Sequence, residues 1–233
     1  MSDAPAREPT TAVLRATALF CELDDATLRG LSGACTWRVY GRGQYLWYQG
    51  DAGDRLVVVA SGLVKVVLTS AQGEEVVLNT LGHHETVGEL ALLDGGPRSA
   101  AVVAVEPTTV LMLSRATMMD LMGRHRSVLD ALLRALGGLV RRLSEHTGDL
   151  MLLDLGGRLA KLLLRLAENR TADDGPVVLD LGLSQSDFAA MVGATRQAVN
   201  RALQLLAARG LIALDGRVIV LRDVPGLRRR AGY

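Results

Sequence analysis

The stretch that decides the fold runs from residue 183 to residue 210 and reads LSQSDFAAMVGATRQAVNRALQLLAARG. Two helical patterns flank a turn at Gly193. Ser184 precedes the first pattern and Thr195 precedes the second, and both residue types cap helices by accepting hydrogen bonds from the free N–H groups of a first turn. Two helices joined by a short turn that contains glycine predict a helix-turn-helix.

The second of these helices, predicted from residue 196 to residue 209, has two distinct faces. At about 100° per residue, four long polar side chains fall within about 140° of one another; they are Arg196, Gln197, Asn200 and Arg201. The opposite side carries aliphatic residues, namely Val199, Ala202, Leu203 and Leu206. An ordinary amphipathic surface helix has the same division, but the turn before it and the hairpin after it favour a helix that enters the major groove of DNA. There Arg pairs with guanine, and Gln or Asn pairs with adenine.

A two-stranded hairpin follows this helix. Residues 211–214 and 217–221 flank Asp215-Gly216, a dipeptide typical of tight hairpin turns. The hairpin forms the wing of a winged helix-turn-helix, and Arg217 at its tip is predicted to contact a DNA phosphate. Residues 228–230 are all Arg, and they either contact phosphate or form a solvated basic tail. From residue 156 onward the chain has a net charge of +5, against −4 before it, which favours a polyanionic partner for the C-terminal part.

A long helix is predicted for residues 124–154, which contain no proline. Seven of its residues are spaced alternately by three and four positions, which is the pattern of a coiled-coil seam. A helix of about 40 Å cannot bury such a seam along its full length within its own chain, whereas a parallel copy can. The pattern therefore predicts a homodimer, with one helix packed inside its own subunit as the alternative. The predicted seam consists of Leu129, Leu132, Leu136, Leu139, Leu143, His146 and Leu150.

Upstream of the long helix, the chain alternates short segments rich in Val and Leu with glycine-containing turns. Turn signals every 8–12 residues or so indicate an all-β roll or barrel. The whole chain is thus predicted to be of the α+β class. Its expected parts are a flexible arm (1–17), a β-roll (18–123), a dimerisation helix (124–154) and a winged helix-turn-helix (155–233).

The most informative stretch of the roll is residues 87–100, VGELALLDGGPRSA, which we call the cassette. A helical turn that starts near Glu89 presents free N–H groups, which favour an anion. Arg98 is suited to bidentate contact with phosphate oxygens. Ser99 can donate one more hydrogen bond, and the Glu89 carboxylate can accept one from a sugar hydroxyl. Together these residues predict a site for a nucleotide monophosphate.

Several classes of function are excluded or disfavoured. Aromatic residues make up 3% of the 233 residues, too few for stacking on single-stranded nucleic acid. No apolar run is long enough to cross a membrane, and no secretion signal is visible, so a cytoplasmic location is expected. Cys21 and Cys35 provide no disulfide framework and cannot supply a four-thiolate cluster. No arrangement of catalytic residues stands out, so the chain is not expected to be an enzyme.

His83 and His84 form an adjacent pair just before the cassette. Such a pair suggests a metal or haem ligand, but no carboxylate or cysteine completes a ligand set. We therefore expect a solvent-exposed turn and no metal site.

The sequence resembles the family of the cyclic-AMP receptor protein and the fumarate-nitrate-reduction regulator, from about Phe20 to Leu221. The shared features are residues 50–54, the Gly62 turn, the cassette, a hinge at Asp154 and residues 195–201. The resemblance implies a bacterial homodimer that binds a pseudo-palindromic site on double-stranded DNA and touches RNA polymerase. It also implies cassette contacts to a cyclic nucleotide: Glu89 to the ribose 2′-OH, Arg98 and Ser99 to the cyclic phosphate, with Gly88 and Leu90 beside them. Arg196, Gln197 and Arg201 are implied to read bases.

Two departures from the family pattern matter. Members that respond to cyclic AMP have a Thr-Ser or Thr-Asn pair on the long helix that contacts adenine, whereas this chain has Leu143 and Ser144. Ser144 can still donate a hydrogen bond to a base and Leu143 cannot. Cyclic AMP is therefore favoured as the effector; another cyclic nucleotide, an effector-independent regulator with a vestigial pocket, and a regulatory subunit that acts on a protein partner are the alternatives. Gln197 replaces the Glu of many members, which predicts a different base pair in the DNA half-site.

Overall fold

The computed structural model describes residues 8–70, 75–168, 177–180, 185–216 and 218–232. The chain divides into two compact units, Met1–Leu139 and Val140–Tyr233. Each unit is described by itself below. The boundary between them falls inside one long helix, one residue after the Gly137-Gly138 pair.

The first unit contains two antiparallel four-stranded sheets, with strand orders β1-β8-β3-β6 and β2-β7-β4-β5. The helices of this unit precede, interrupt and follow the strands. In chain order the elements are α1 (Thr10–Ala16), α2 (Asp25–Gly33), β1 (Thr36–Tyr40), β2 (Tyr45–Trp47), β3 (Arg55–Ser61), β4 (Val64–Thr69), β5 (Glu75–Leu81), β6 (Thr86–Val87), α3 (Glu89–Asp94), β7 (Ala101–Ala104), β8 (Thr108–Ser114) and α4 (Arg115–Arg124). This arrangement confirms the predicted β-roll.

Strand β3 is buried on both of its faces. Val57 and Val59 belong to the apolar cluster between the two sheets. Leu56 and Val58 point the other way, because side chains alternate along a strand, and they join a second cluster formed with the helices. A strand covered on both sides needs no polar alternate positions, which explains why its sequence alternates only in part.

The predicted flexible arm is wrong for residues 10–16, which form α1. Val13 and Leu14 are fully buried in the cluster between the helices and β3. The Trp37 indole N–H donates to Thr10 Oγ1 at 3.1 Å. The apolar run that holds this helix in place is too short to show a helical period in the sequence, so its polar flanks dominated the prediction.

The second unit contains the winged domain, and the long helix α5 (Arg126–Leu152) leads into it. Its remaining elements are α6 (Leu155–Glu168), β9 (Val178–Asp180), α7 (Gln185–Met191), α8 (Arg196–Ala208), β10 (Ile212–Asp215), β11 (Val218–Leu221) and α9 (Val224–Arg230). The strands form an antiparallel sheet in the order β10-β11-β9. Asp215 pairs with Val218 across the predicted hairpin turn, where Gly216 has φ +57°. The winged helix-turn-helix is thus confirmed.

Residues 228–230, predicted either to contact phosphate or to form a solvated basic tail, form the end of α9, and their contact with phosphate stays a prediction. Leu227 of this helix is fully buried, and the Asp223 side chain caps its start by accepting from Gly226 N at 2.8 Å. Arg230 points to Asp154 and donates to its carboxylate at 2.6 Å. One of the three arginines is therefore committed inside the domain.

The predicted seam of α5 needs correction at one position, Leu132, and the other positions lie in different surroundings. Leu132 is 1% exposed in the core of its own unit, so it has no surface left for a partner. His146 faces charged groups of α6, and its pKa is lowered by burial and by the neighbouring Arg165. Leu129, Leu136 and Leu139 are half-buried, whereas Leu143 and Leu150 are exposed. Leu133 and Val140, each one position after a predicted seam residue, are 54% and 62% exposed.

The glycine at position 53 is required by close packing. A Cβ there would lie 2.1 Å from Ala91 Cβ and 2.9 Å from the Gly96 carbonyl oxygen. We expect Gly53→Ala to lower the free energy of unfolding by about 1–3 kcal/mol, because backbone atoms must shift. Gly30→Ala in α2, where nothing lies within 4 Å, should be neutral or stabilising by up to about 1 kcal/mol. Both tryptophans, Trp37 and Trp47, lie in this unit, so denaturation followed by tryptophan fluorescence measures it. Equal losses for both variants would contradict this interpretation.

Candidate functional site

In the cassette, the backbone of Gly88 passes close beside the side chain of Arg98. Gly88 follows β6 and precedes α3, with φ +97°. A Cβ at this position would lie 2.4 Å from Arg98 Nη1 and 3.0 Å from the Arg55 carbonyl oxygen. Only glycine permits both the positive φ and this close approach.

Arg98 is the one strongly buried cation of the cassette, at 5% exposure. Its Nη1 donates to the Gly88 carbonyl at 3.1 Å and its Nη2 to the Arg55 carbonyl at 2.8 Å. The guanidinium carbon lies 3.9 Å from the centre of the Trp47 ring, and Nε is buried without a hydrogen-bond partner among the described residues. The guanidinium is therefore held in one position by two carbonyls and an aromatic face, with donors still available.

The charge of Arg98 is not neutralised by a direct ion pair among the described residues. Burial lowers the pKa of its guanidinium, and more distant carboxylates at Asp54, Glu89 and Asp51 act in the opposite direction. A buried charge without an adjacent counter-ion is costly. An anionic ligand that reached this guanidinium would remove that cost.

The other predicted ligand residues lie in different environments. Glu89 opens α3 and is half-buried, with its Oε2 atom buried. Leu90 and Ser99 are exposed on the cassette. Ser144 is exposed on α5 and belongs to the second unit. Within the first unit, the structure thus brings Gly88, Glu89 and Arg98 together.

Three residues that support the cassette were missed in the sequence. Trp47 donates from Nε1 to the Ala100 carbonyl at 3.0 Å while its ring lies under Arg98. Arg55 supplies a backbone carbonyl, which no side-chain pattern reveals. Arg115 Nε donates to the Leu92 carbonyl at 2.7 Å near the end of α3. All three are distant in sequence from the residues they hold, so local motifs do not point to them.

The helix-turn-helix has the predicted local structure. Thr195 Oγ1 accepts from Ala198 N at 3.3 Å and caps α8. Gly193 has φ +64°, and the Ala194 N–H donates to the Ala189 carbonyl at 3.1 Å across the turn. The predicted aliphatic face of α8 is buried at Val199, Ala202, Leu203 and Leu206.

The polar face of α8 is presented outward. Arg196, Gln197 and Arg201 are exposed, and Asn200 is half-buried. The predicted division into two faces is confirmed, and contact with DNA bases stays a prediction. Ser184 and Arg217, also predicted to contact DNA, lie outside the described residues.

An arginine in α6 connects the helix-turn-helix to the end of α5. Arg158 Nε donates to the Val192 carbonyl at 3.1 Å, and Nη1 donates to the Leu153 carbonyl at 3.2 Å. Lys161 pairs with Asp149 at 2.7 Å, and both side chains are largely buried. These contacts fix the turn of the helix-turn-helix relative to the last turn of α5.

The predicted hinge at Asp154 is a joint between α5, α6 and α9. Asp154 Oδ1 accepts from Gly157 N at 2.8 Å and from Arg230 Nη2 at 2.6 Å. A Cβ at Gly156 would lie 2.7 Å from Arg230 Nη2, so this glycine admits the guanidinium. The hydrogen bond from Arg230 lowers the pKa of Asp154, and the Gly157 N–H adds to the effect.

This joint predicts a pH-dependent contribution to stability. Because the pKa of Asp154 is lowered on folding, the contribution is present above the unfolded-state pKa and is lost as the pH falls through the folded-state pKa. Asp154→Asn should lower the free energy of unfolding at about pH 7 by less than about 1 kcal/mol, since the carboxylate is mostly exposed. The difference should shrink as the pH falls below the ordinary aspartate pKa of about 3.9. Denaturation followed by circular dichroism measures it. In an Arg230→Gln background the same substitution should cost less, and an equal cost would contradict the pairing.

A β-roll with a buried arginine cassette, followed in the same chain by a winged helix-turn-helix, defines a DNA-binding transcription regulator with an effector domain. Matches to known families agree with this class. The sequence model for the cyclic nucleotide-binding domain matches residues 37–125, and that for the Crp-like helix-turn-helix domain matches residues 157–230. Among the described residues, no helix is both long and apolar enough to span a bilayer.

Individual relatives cover most of the chain. The sequence is similar to a CRP-like cAMP-activated global transcriptional regulator of Mycobacterium tuberculosis, with 33% identity over 82% of this chain and 86% of the relative. It is similar to the cyclic AMP receptor protein of Thermus thermophilus, with 36% identity over 80% of this chain and 83% of the relative. The fold is similar to that of FixK2 from Bradyrhizobium japonicum, with a TM-score of 0.75 and 22% identity over 84% of this chain and 96% of that chain.

The chain belongs to the family of the cyclic-AMP receptor protein and the fumarate-nitrate-reduction regulator. It is a transcription regulator with a cyclic-nucleotide-binding domain and a DNA-binding helix-turn-helix. The resemblance drawn from the cassette and the recognition helix is thus confirmed.

Proposed function

We propose that the chain is a homodimeric transcription regulator whose DNA binding is controlled by a cyclic nucleotide, with cyclic AMP favoured. The dimer occupies a pseudo-palindromic operator and acts on RNA polymerase at the promoter. The observation that carries the effector half of the proposal is the buried Arg98 guanidinium, which has no ion-pair partner among the described residues.

A cyclic phosphate suits this guanidinium. It carries one negative charge shared by two non-bridging oxygens, and that pair of acceptors matches the two-donor edge of arginine. Gly88 removes the Cβ that would otherwise occupy the space beside Nη1. In the proposed complex, Arg98 and Ser99 bind the phosphate, Glu89 accepts from the ribose hydroxyl, and Gly88 and Leu90 line the site.

Cyclic AMP is favoured because two similar relatives are named for it. The proposal gives the adenine one hydrogen-bonding side chain, Ser144, since Leu143 cannot donate. We therefore expect weaker discrimination between purine bases than a pair of hydroxyl groups would provide.

The DNA half of the proposal rests on the exposed front of α8. Arg196, Gln197, Asn200 and Arg201 are proposed to read bases in the major groove, while Ser184, Thr195 and Arg217 contact the backbone. The buried aliphatic back of α8 holds this front in position. The net charge of +5 after residue 155 favours approach to the phosphates.

The homodimer is supported by apolar side chains that the single chain leaves exposed on α5. Leu133, Val140, Leu143 and Leu150 are each at least 45% exposed. Their sequence spacing of 7, 3 and 7 positions fits a heptad seam. Leu143 and Leu150 belong to the predicted seam, whereas Leu133 and Val140 each lie one position after a predicted seam residue, Leu132 and Leu139. A parallel copy of the helix would cover these side chains.

The dimer predicts a large effect of a charge at position 140. In a symmetric dimer, Val140→Glu puts one carboxylate from each subunit into the interface. Each buried carboxylate without a partner costs several kcal/mol. We expect the dimer dissociation constant to rise by at least about 100-fold. Arg142→Glu introduces the same side chain on the same helix, two positions away, and should leave the dimer intact. Sedimentation equilibrium measures both variants. A monomeric wild type, or equal dissociation of the two variants, would contradict the proposal.

The effector is tested by calorimetric titration of the full chain with cyclic AMP and with cyclic GMP. We expect one nucleotide per chain and tighter binding of cyclic AMP. Repeating the titration with operator DNA, obtained by selection from random duplexes, should increase the affinity for the nucleotide, because coupling between two sites is reciprocal. If neither cyclic AMP nor cyclic GMP bound, the pocket would be vestigial, and the proposal that a cyclic nucleotide controls DNA binding would be overturned.

A further inference from the structure

Three potential metal ligands that are far apart in the sequence meet at one edge of the roll. Glu8 lies just before α1, and His83 and His84 lie in the loop between β5 and β6. Glu8 Oε2 is 3.6 Å from His83 Nε2 and 3.6 Å from His84 Nε2. One ligand atom of each residue lies within 4.8 Å of those of the other two. The carboxylate missing from the sequence-based ligand set is thus supplied by the N-terminal segment.

The two imidazoles are held in place by the loop. His84 has φ +66°, and its N–H donates to the Val59 carbonyl at 2.7 Å. The Glu85 carboxylate closes the loop by accepting from Gly82 N at 2.7 Å. The two histidine rings stack with their centres 3.8 Å apart. Both side chains therefore present their nitrogens on the same side, towards Glu8.

His84 provides a second, independent sign of a ligand. Its Nε2 atom is buried and has no hydrogen-bond partner among the described residues. A buried imidazole nitrogen without a partner is uncommon, because the loss of its hydration is not compensated. A cation bound between His84 Nε2 and the Glu8 carboxylate would give the nitrogen a partner and the carboxylate a counter-charge.

We propose that Glu8, His83 and His84 bind a divalent transition-metal ion of the Zn²⁺ class. Two imidazoles and one carboxylate are a ligand set that such ions prefer, whereas Ca²⁺ and Mg²⁺ require oxygen ligands. Ligands at about 2.0–2.1 Å in tetrahedral geometry lie about 3.3 Å apart, so the observed 3.6 Å separations need to contract by only a few tenths of an ångström. Water completes the coordination.

The ion would connect the N-terminal segment to the loop that leads into the cassette. β6 follows this loop directly and ends at Val87, next to Gly88. The site therefore joins the segment before α1 to the loop between β5 and β6, which are far apart in the sequence. Its occupancy is separate from the proposed nucleotide site, since none of its three ligands belongs to the cassette.

The test uses the full, untagged chain after removal of metal by a chelator. Isothermal titration with Zn²⁺ should give one ion per chain, and Co²⁺ should give a visible absorption band. Glu8→Gln and His83→Ala should each weaken Zn²⁺ binding by at least about 10-fold, because the first replaces an anionic oxygen ligand with a weaker neutral one and the second removes a nitrogen ligand. Glu8 is exposed, so its replacement leaves the fold intact, as tryptophan fluorescence will verify.

The controls are His125→Ala and Cys21→Ser, which remove other metal-binding side chains and should leave Zn²⁺ affinity unchanged. His84→Asn is a third variant of the site, chosen because asparagine tolerates the positive φ. It should also weaken binding by at least about 10-fold. Absence of Zn²⁺ binding up to about 1 mM, where even weak sites fill, or equal affinity in wild type, Glu8→Gln and His83→Ala, would overturn the proposal.

Discussion

Arg98→Leu is expected to lower the affinity for cyclic AMP by at least about 100-fold. Removing one partner of a buried, charge-paired contact costs about 3–5 kcal/mol. Leucine fills part of the space over Trp47 but provides neither a charge nor a donor. Arg98→Lys retains the charge but replaces the planar five-donor fork of arginine with three donors on a single nitrogen, which cannot match the two carbonyls and the paired phosphate oxygens in the same geometry, so an intermediate loss is expected. Isothermal titration calorimetry measures each affinity.

The matched control is Arg55→Gln. Arg55 also borders the cassette, but it contributes its backbone carbonyl to Arg98, and its side chain is partly exposed beside Asp54. Removal of its charge should change nucleotide affinity by less than about 3-fold, as for other exposed charges. Tryptophan fluorescence reports whether each variant keeps the packing around Trp47. An Arg98→Leu protein that folds and binds cyclic AMP as wild type does would exclude Arg98 from the site.

Arg201→Ala is expected to weaken operator binding by about 5- to 150-fold, because a bidentate contact between arginine and guanine contributes about 1–3 kcal/mol of discrimination. The loss should be smaller on a duplex that lacks that guanine, since only the phosphate attraction is then reduced. Fluorescence anisotropy with labelled operator at fixed salt measures the affinity.

Arg209→Ala is the control for this second prediction. Arg209 is exposed at the C-terminal end of α8, and its replacement removes the same charge. Its loss should reduce affinity by no more than about 3-fold through the general electrostatic attraction. If both variants lost affinity equally on operator and on unrelated duplexes, α8 would not be a base-reading helix.

Features that depend on neighbouring residues were predictable from the sequence. The cap at Thr195, the turn at Gly193 and the two faces of α8 follow from helix geometry within about four turns. The β-roll was predictable because its turns recur regularly. In β3, the residues between its two ends pack alternately into two different apolar clusters, and all of them are buried. This part of the strand is therefore apolar throughout, and its sequence does not show the polar–apolar alternation of a half-exposed strand.

Features that depend on tertiary contacts were not predictable. Leu132 was assigned to the seam of α5 although it is buried in the core of its own unit, because a heptad pattern with apolar residues at several positions fits more than one face. The surroundings of Arg98 consist of two backbone carbonyls and Trp47, none of which a local motif identifies. Glu8 is separated from His83 by about 75 residues, and only the packing of α1 brings them together.

In the proposed function, an effector in the cassette controls the affinity of α8 for DNA. Operator affinity in the presence and absence of cyclic AMP measures that control. Fluorescence anisotropy of wild-type protein should show at least about a 10-fold increase in operator affinity when cyclic AMP saturates the protein, equivalent to a coupling of about 1.4 kcal/mol. Arg98→Leu should show no increase. An identical operator affinity of the wild type with and without cyclic AMP, and likewise with cyclic GMP, would contradict the account.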